Sequence, residues 1–374
     1  MSVSKIPENV KFRLWGKAAG RCEYEGCNKQ LFLDSLTNAE FNTAYIAHIY
    51  ADSENGPRYH SDFSPRLKKD ISNLMLMCDE HHRLIDKEQV DAHPVERLIS
   101  MKLAHERRID IVTSILPNRK SHVVLFGANI GRHEVPLNYR EVIGAMKPNR
   151  YPSGLNAIEL GLSNSVVHDD TEAYWIFQDE QLKEAFRQRI APLKGVNEIQ
   201  HFSVFALAPI PLLIRLGTLF SDIYDVDVFQ RHREPCTWDW QDKNETCDFN
   251  IIPPATYNGA PVLKMSLSGN ITNDRIQHVL GDDCSIWELT IENPNNDFLK
   301  TSQMLSDFRK SIRQVFNMIK QKHAQNENLH VFPAIPLSAA LEFGRTWMPK
   351  ADMPFKVYDQ CRVKNQFIPT LNFN

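Results

Sequence analysis

The chain has 374 residues, well over twice the ~150 of an ordinary domain, so two domains are expected, or three. Hydrophobic residues make up 42% and charged residues 24%, a balance that excludes a disordered, collagenous or coiled-coil chain. The formal net charge of -3 excludes a protein held on nucleic acid by bulk electrostatics, so any such contact needs a local patch.

Seven cysteines are too sparse for a secreted disulfide framework, and the opening MSVSKIPENVKFRLW lacks the apolar core of a signal peptide, so a reducing compartment is expected. The first predicted helix starts at Pro7, carries Val10, Leu14, Trp15 and Ala18 on one face, and stops at Gly20. Cys22 and Cys27 follow. A strand over 44–49 contains His48 and leads into the turn-rich 52–58, which ends in Arg58. A second strand, 73–78, begins at Asn73 and ends at Cys78. It leads into a helix over 79–86 with Asp79 as its expected N-cap and with His81, His82 and Asp86 along it. A long helix from Pro94 to Leu116 stops at Pro117, and 117–121 reads as a linker. The expected domains are therefore 1–118 and 119–374.

Beyond the linker, strands are predicted at 122–126, 173–177, 201–207, 226–229, 262–267, 286–291 and 329–332. Helices are predicted at 182–190, 212–222, 302–322 and 337–347. The alternation argues for an α/β domain with a mostly parallel sheet. The longest apolar stretch, 202–214, contains Pro209 and Pro211 and stops at Arg215, short of the about 18 residues that suggest a membrane span. An internal repeat is visible at an offset of 127: Val204, Pro209 and Gly217 recur as Val331, Pro336 and Gly344. Two such units would turn their strand ends, where α/β sheets bind ligands, toward one crevice.

Two pairs carry zinc spacing: Cys22-x4-Cys27 and Cys78-x2-His81 supply four donors for a closed tetrahedral, structural Zn2+. Neighbouring residues on a helix point about 100° apart, so with His81 on that ion, His82 faces elsewhere. A histidine that titrates near neutrality suits a general base, and Arg58 offers a forked donor set for phosphate. Asp86, four residues after His82, is placed either to orient that imidazole or to meet solvent.

His48, Asn73 and His82 in this order, wrapped by the two zinc pairs, resemble the HNH endonuclease family over roughly residues 10–90. The resemblance implies an α+β, ββα-metal domain stapled by zinc. It makes His48 the general base and His82 a ligand of a catalytic Mg2+ or Mn2+, with Asn73 orienting the His48 loop by hydrogen bonds. Many members carry an acidic metal ligand directly before the base, where this chain has Ala47; Asp52, His60, Asp70 or water are left as replacements. The domain holds sixteen Lys plus Arg against seventeen Asp plus Glu, so a single copy is expected to grip DNA weakly.

The second domain has neither a G-x-G-x-x-G nor a G-x-x-x-x-G-K-[ST] motif. Its runs 205–217, 228–240 and 330–337 resemble a SAVED domain, a cyclic-oligonucleotide sensor of two fused CARF-like Rossmannoid units. A purine needs a stacking platform and a phosphate needs donors. Trp175, Trp238 and Trp240 are candidate stackers, Gln230, Arg231 and Arg233 candidate donors, and Pro209 and Pro336 shape the turns.

The pair is similar to HNH-SAVED effectors of bacterial cyclic-oligonucleotide antiphage signalling. That resemblance implies a cytoplasmic, metal-dependent and largely non-specific double-stranded DNA endonuclease, switched on when a cyclic di- or trinucleotide binds and the protein assembles into a homo-oligomer. Two other readings fit the bare frame: a modification-dependent HNH restriction enzyme, and a non-cleaving zinc-stapled DNA-binding regulator with a ligand sensor.

Overall fold

The computed structural model describes residues 4–34, 36–130, 137–161, 169–195, 198–241, 245–324, 327–361 and 363–374. It divides into two compact units, Met1–Leu116 and Pro117–Asn374, so the boundary falls at the first residue of the expected linker.

In the first unit, helix α1 (Glu8–Ala18) buries Leu14 and Ala18 and ends where Ala19 and Gly20 turn to left-handed backbone. Strand β1 (Tyr45–His48) precedes a short helix α2 (Phe63–Leu67). Strand β2 (Leu74–Met77) then pairs antiparallel with β1, placing His48 opposite Leu74 and Ile46 opposite Leu76. All of β2 is buried. Helix α3 (Asp79–Arg83) follows, continued by a π-helical segment Leu84–Glu88, and α4 (Val95–Thr113) closes the unit. Asp79 is not the N-cap as expected: Cys78 holds that position, and Asp79 is the first helical residue, paired with Arg83 at 2.5 Å. The core gathers Leu14, Ala18 and Leu31 with Ala47, Ile49, all of β2, Ile85, Leu98 and Met101.

The second unit runs β3 (Lys120–Gly127), α5 (Tyr139–Val142), β4 (Tyr151–Pro152), β5 (Ile158–Glu159), α6 (Glu172–Arg189), β6 (His201–Leu207), α7 (Ile210–Phe220) and β7 (Asp225–Phe229). It continues with β8 (Asn250–Ile252), β9 (Ala260–Ser266), α8 (Asn273–Leu280), β10 (Cys284–Thr290) and α9 (Ser302–Lys320). The last elements are β11 (Leu329–Ala334), α10 (Leu337–Thr346), β12 (Phe355–Cys361) and β13 (Gln366–Phe373).

The expected mostly parallel sheet is in fact two sheets. The first, ordered β4-β3-β6-β7 with β5 also on β3, is parallel throughout. The second, ordered β13-β12-β11-β9-β10-β8, is parallel at its centre, with antiparallel edges β8 and β13. Buried on both faces, β6 reads as a continuous apolar run from Val204 on, as parallel strands do, with His201 and Ser203 as its two polar positions.

One predicted strand is wrong. Residues 173–177 belong to α6, whose first turn is capped by the Thr171 side chain accepting from Tyr174 N. The run is rich in aromatic and β-branched residues, but its buried positions, Tyr174, Trp175, Gln178, Leu182 and Phe186, keep a helical period.

The repeat is built into the architecture. The order β6-α7-β7 recurs as β11-α10-β12, with Pro209 and Pro336 as the two N-caps. Helices α7 and α10 cross at the repeated glycines. A Cβ on Gly217 would lie 2.0 Å from Leu341 O, and one on Gly344 would lie 2.1 Å from Ile214 O. Only glycine lets two helix backbones meet this closely. Arg345 of α10 then reaches back to donate to Ser221 O, Tyr224 O and Val226 O, which binds the two repeats through one buried guanidinium.

Candidate functional site

Cys22, Cys27, Cys78 and His81 come together in the first unit, with donor atoms all within 4.8 Å of one another. Cys78 Sγ lies 3.1 Å and Cys22 Sγ 3.8 Å from His81 Nδ1, the spacing of donors on one tetrahedral ion. Burial pushes both thiols above their usual range, so a cation is needed to draw out the thiolates. Burial also lowers the pKa of His81, favouring the neutral imidazole that binds metal. Tyr24 stacks on the His81 ring at 4.0 Å, and its hydroxyl donates to His93 Nε2. The donor set fits Zn2+, and it is the one cluster of three or more such groups among the described residues.

His48 ends β1 with 8% of its surface exposed, and its Nε2 donates to Lys68 O at 3.0 Å. That bond fixes the tautomer: the proton sits on Nε2 and Nδ1 keeps its lone pair. Among the described residues nothing bonds Nδ1, so it is available to accept a proton. Asn73 grips the backbone just beyond, where Oδ1 accepts from Tyr50 N and Nδ2 donates to Tyr50 O, while Asn73 O accepts from Ile49 N. All three bonds hold the chain directly after His48.

His82 stacks on Tyr45 at 5.0 Å, with its Nε2 3.4 Å from Asp86 Oδ2. Burial lowers the His82 pKa, against the pull of Asp86, which favours the neutral ring. Asp86 lies in the π-helical segment, a feature often found at functional sites. Asp86 is thus the carboxylate beside His82, and its other oxygen accepts from Arg58. The other expected replacements are otherwise engaged. His60 Nδ1 accepts from Asp62 N and Phe63 N, Asp70 accepts from Ser72 N and Oγ, and Asp52 accepts from Ser4 N.

Arg58 is not the phosphate clamp that the sequence suggested. Its side chain is 6% exposed and donates to Ile49 O, Ile85 O, the more distant His48 O and the Asp86 carboxylate. Those bonds hold it at a φ of 62°, a strained value for a non-glycine residue. Arg58 is a strut that ties the His48 strand to the segment carrying Asp86. Replacing it by Lys removes the fork and strands buried acceptors, at an expected cost of about 2 kcal/mol. A thermal melt should show the first-unit transition falling by several degrees; an unchanged melt would remove the strut.

In the second unit the sequence candidates separate. Trp175 is buried in the core of α6 at 2% exposure and offers no face for a base. Trp238 is buried against Phe205, with the Arg231 guanidinium 5.6 Å over its ring, and Arg231 also donates to Cys236 Sγ. For Trp238 and Arg231 these are packing roles. Gln230 is spent as well: its Oε1 accepts from Ser338 N and Oγ, so a side chain of one repeat satisfies the first turn of α10 in the other. Trp240, half-buried, packs edge-on to His232 and lines a cleft of about 360 Å³ with Asp239 and Arg309. Arg233 is exposed, and Pro209 and Pro336 shape the turns as expected. Sequence reasoning missed the turn after β9, Ser268-Gly269-Asn270, pinned by Leu267 N and Ser268 N donating to Ala334 O. It lies at the carboxyl end of a central parallel strand; the Gly in a polar tripeptide after an apolar run was the available signal.

A family model described as "SAVED: SMODS-associated and fused to various effectors sensor domain" matches residues 182–373. Among solved structures, the chain is similar to the Acinetobacter baumannii Cap4 SAVED/CARF-domain containing receptor with the cyclic trinucleotide 2'3'3'-cAAA. The identity is 14% over 75% of this chain and 56% of that chain, with a TM-score of 0.42. The Acinetobacter baumannii receptor without a named ligand is 11% identical over 84% of this chain and 66% of that one, with a TM-score of 0.40. The Moraxella osloensis Cap4 receptor is 12% identical over 74% and 54%, with a TM-score of 0.38. The chain thus spans little more than half the length of the first of these. No curated protein matches it. No helix among the described residues is long and apolar enough to cross a membrane.

Proposed function

The chain belongs to the SAVED sensor family through residues 182–373, and from that premise we propose that it is a ligand-gated DNA endonuclease of antiphage defence. In this reading the second unit binds a cyclic di- or trinucleotide of the kind named for the Acinetobacter receptor. Binding drives assembly into a homo-oligomer, and the first unit, an HNH nuclease, then cuts double-stranded DNA. A ligand can shift such an equilibrium only by binding the active arrangement more tightly than the resting one.

The observation that carries the nuclease reading is the state of His48. With Nε2–H held by Lys68 O, Nδ1 is a fixed acceptor able to take a proton from water as it attacks a phosphodiester. Asn73 keeps the backbone after His48 in place, and Arg58 ties it to the Asp86 segment. His82 and Asp86 would hold a hard divalent ion, Mg2+ or Mn2+, whose charge stabilises the phosphate and the leaving oxygen when bound. Cys22, Cys27, Cys78 and His81 would hold the structural zinc.

The test is plasmid cleavage in Mg2+ or Mn2+, with and without a panel of cyclic di- and trinucleotides. Cutting is expected only with an activating ligand, and His48→Ala is expected to lose about 100- to 10,000-fold in rate with DNA binding retained. Equal cutting without ligand would refute the gating. Full activity in the variant would refute the assignment of the base. Cleavage confined to methylated DNA, with no response to ligand, would instead establish the modification-dependent enzyme.

A further inference from the structure

Two buried hydrogen-bond donors on one helix of the second unit have no acceptor among the described residues. Trp175 and Gln178 lie on α6 at 2% and 4% exposure, and a separation of three residues puts them on one helical face. Trp175 Nε1 and Gln178 Nε2 have no hydrogen-bond partner among the described residues. An indole N–H can only donate, and an amide nitrogen likewise. A buried donor left without an acceptor destabilises a fold, so a pair on one face is a standing weakness of the free protein. The nearest acid on the helix does not relieve it, because Asp179 is already paired with Arg215 and Lys183.

Their position supplies the reason. The adjacent Tyr174 hydroxyl donates to Asn129 O, just past the carboxyl end of β3. That end of a parallel sheet is where open α/β folds take ligands. The first turns of α6, which carry the two donors, therefore lie beside the end of the sheet where such a ligand would sit. Neither group carries charge, so the pair suits an acceptor-rich molecule whose oxygens can reach a buried site.

We propose that Trp175 Nε1 and Gln178 Nε2 are anchoring donors for the oxygen acceptors of a bound phosphodiester ligand. This rests on the sensor reading above. The protein holds the two groups unsatisfied in the free state and recovers their hydrogen bonds on binding. Trp175 thus acts through its N–H rather than through its ring face.

The test uses the full chain, with Gln178→Met and Trp175→Phe. Gln178→Met removes the amide with little change in length or volume, so its melting temperature reads the whole amide without opening a cavity. Trp175→Phe also opens a small cavity, so for that variant only affinity is read. Without ligand, Gln178→Met should melt at or above the wild type. By calorimetry against the same cyclic di- and trinucleotides, each variant should bind about tenfold or more weakly. Wild-type affinity in both variants overturns the inference while leaving the sensor reading intact. A lower melting temperature in Gln178→Met overturns it too, since the amide was then already satisfied in the free protein. A wild type that binds no member of the panel overturns the sensor reading, and this inference with it.

Discussion

Chelating the proposed zinc, or replacing Cys78 by Ser, is expected to unfold the first unit. The four donors converge from three separate places: the turn after α1, the end of β2 and the start of α3. The hydrophobic cluster they staple is small, centred on Leu14, Leu31, β2 and Leu98. Small domains of this kind lean on their metal, and structural zinc in small peptides contributes about 10–16 kcal/mol of apparent binding free energy near neutral pH. Removing one ligand leaves the other thiols buried and uncompensated. Hydrogen exchange checks this directly. Amides of β1, β2 and α4 should lose protection as zinc content falls, and re-adding zinc should restore it. Protection that survives complete loss of zinc would show that the four residues are packing groups.

Gly217→Ala is expected to cost the second unit about 3 kcal/mol or more, among the largest effects of any single methyl group in the chain. The added carbon would lie 2.0 Å from Leu341 O, a backbone atom that no rotamer change can move. Relief requires α7 and α10 to separate, which also pulls Arg345 from Ser221 O and Tyr224 O and Ser338 from Gln230. Gly344→Ala should cost a similar amount, because its carbon meets Ile214 O. The double variant should cost clearly less than the sum, since one separation relieves both clashes. Urea unfolding of the three proteins measures this. Full additivity would mean that the two glycines do not share one crossing.

Features built from nearby residues were legible in the sequence. Cys22, Cys27, Cys78 and His81 announced themselves by spacing, because a metal constrains short loops. The 127-residue offset marked Gly217 and Gly344, which the structure places against each other. What the sequence hid depends on distant partners. Arg58 looked like a free cation because its acceptors, Ile49 O and Ile85 O, are backbone atoms that leave no trace in residue type. Gln230 looked like a ligand donor, yet its partner Ser338 lies in the other repeat. Asp86 was visible as a neighbour of His82, but not that a π-helical segment would carry it. Residues 173–177 were misread as a strand because their composition is strand-like. The edge strands β8 and β13 were missed, since partly exposed edges show neither a clean alternation nor a continuous apolar run.

The crossing of α7 with α10 also sets an order of events during synthesis. Every strand of the first sheet has been made by Phe229, and α7 with it, yet the helix that covers α7 begins only at Leu337. Until then the growing chain carries a strongly apolar helix with Leu213, Ile214 and Leu216 uncovered, a surface that invites clumping. The first unit has no such wait, because its partners all lie before Ser114. The cell therefore holds a finished first unit on a half-made second one during each round of translation, and interruption between the repeats would release the one without the other.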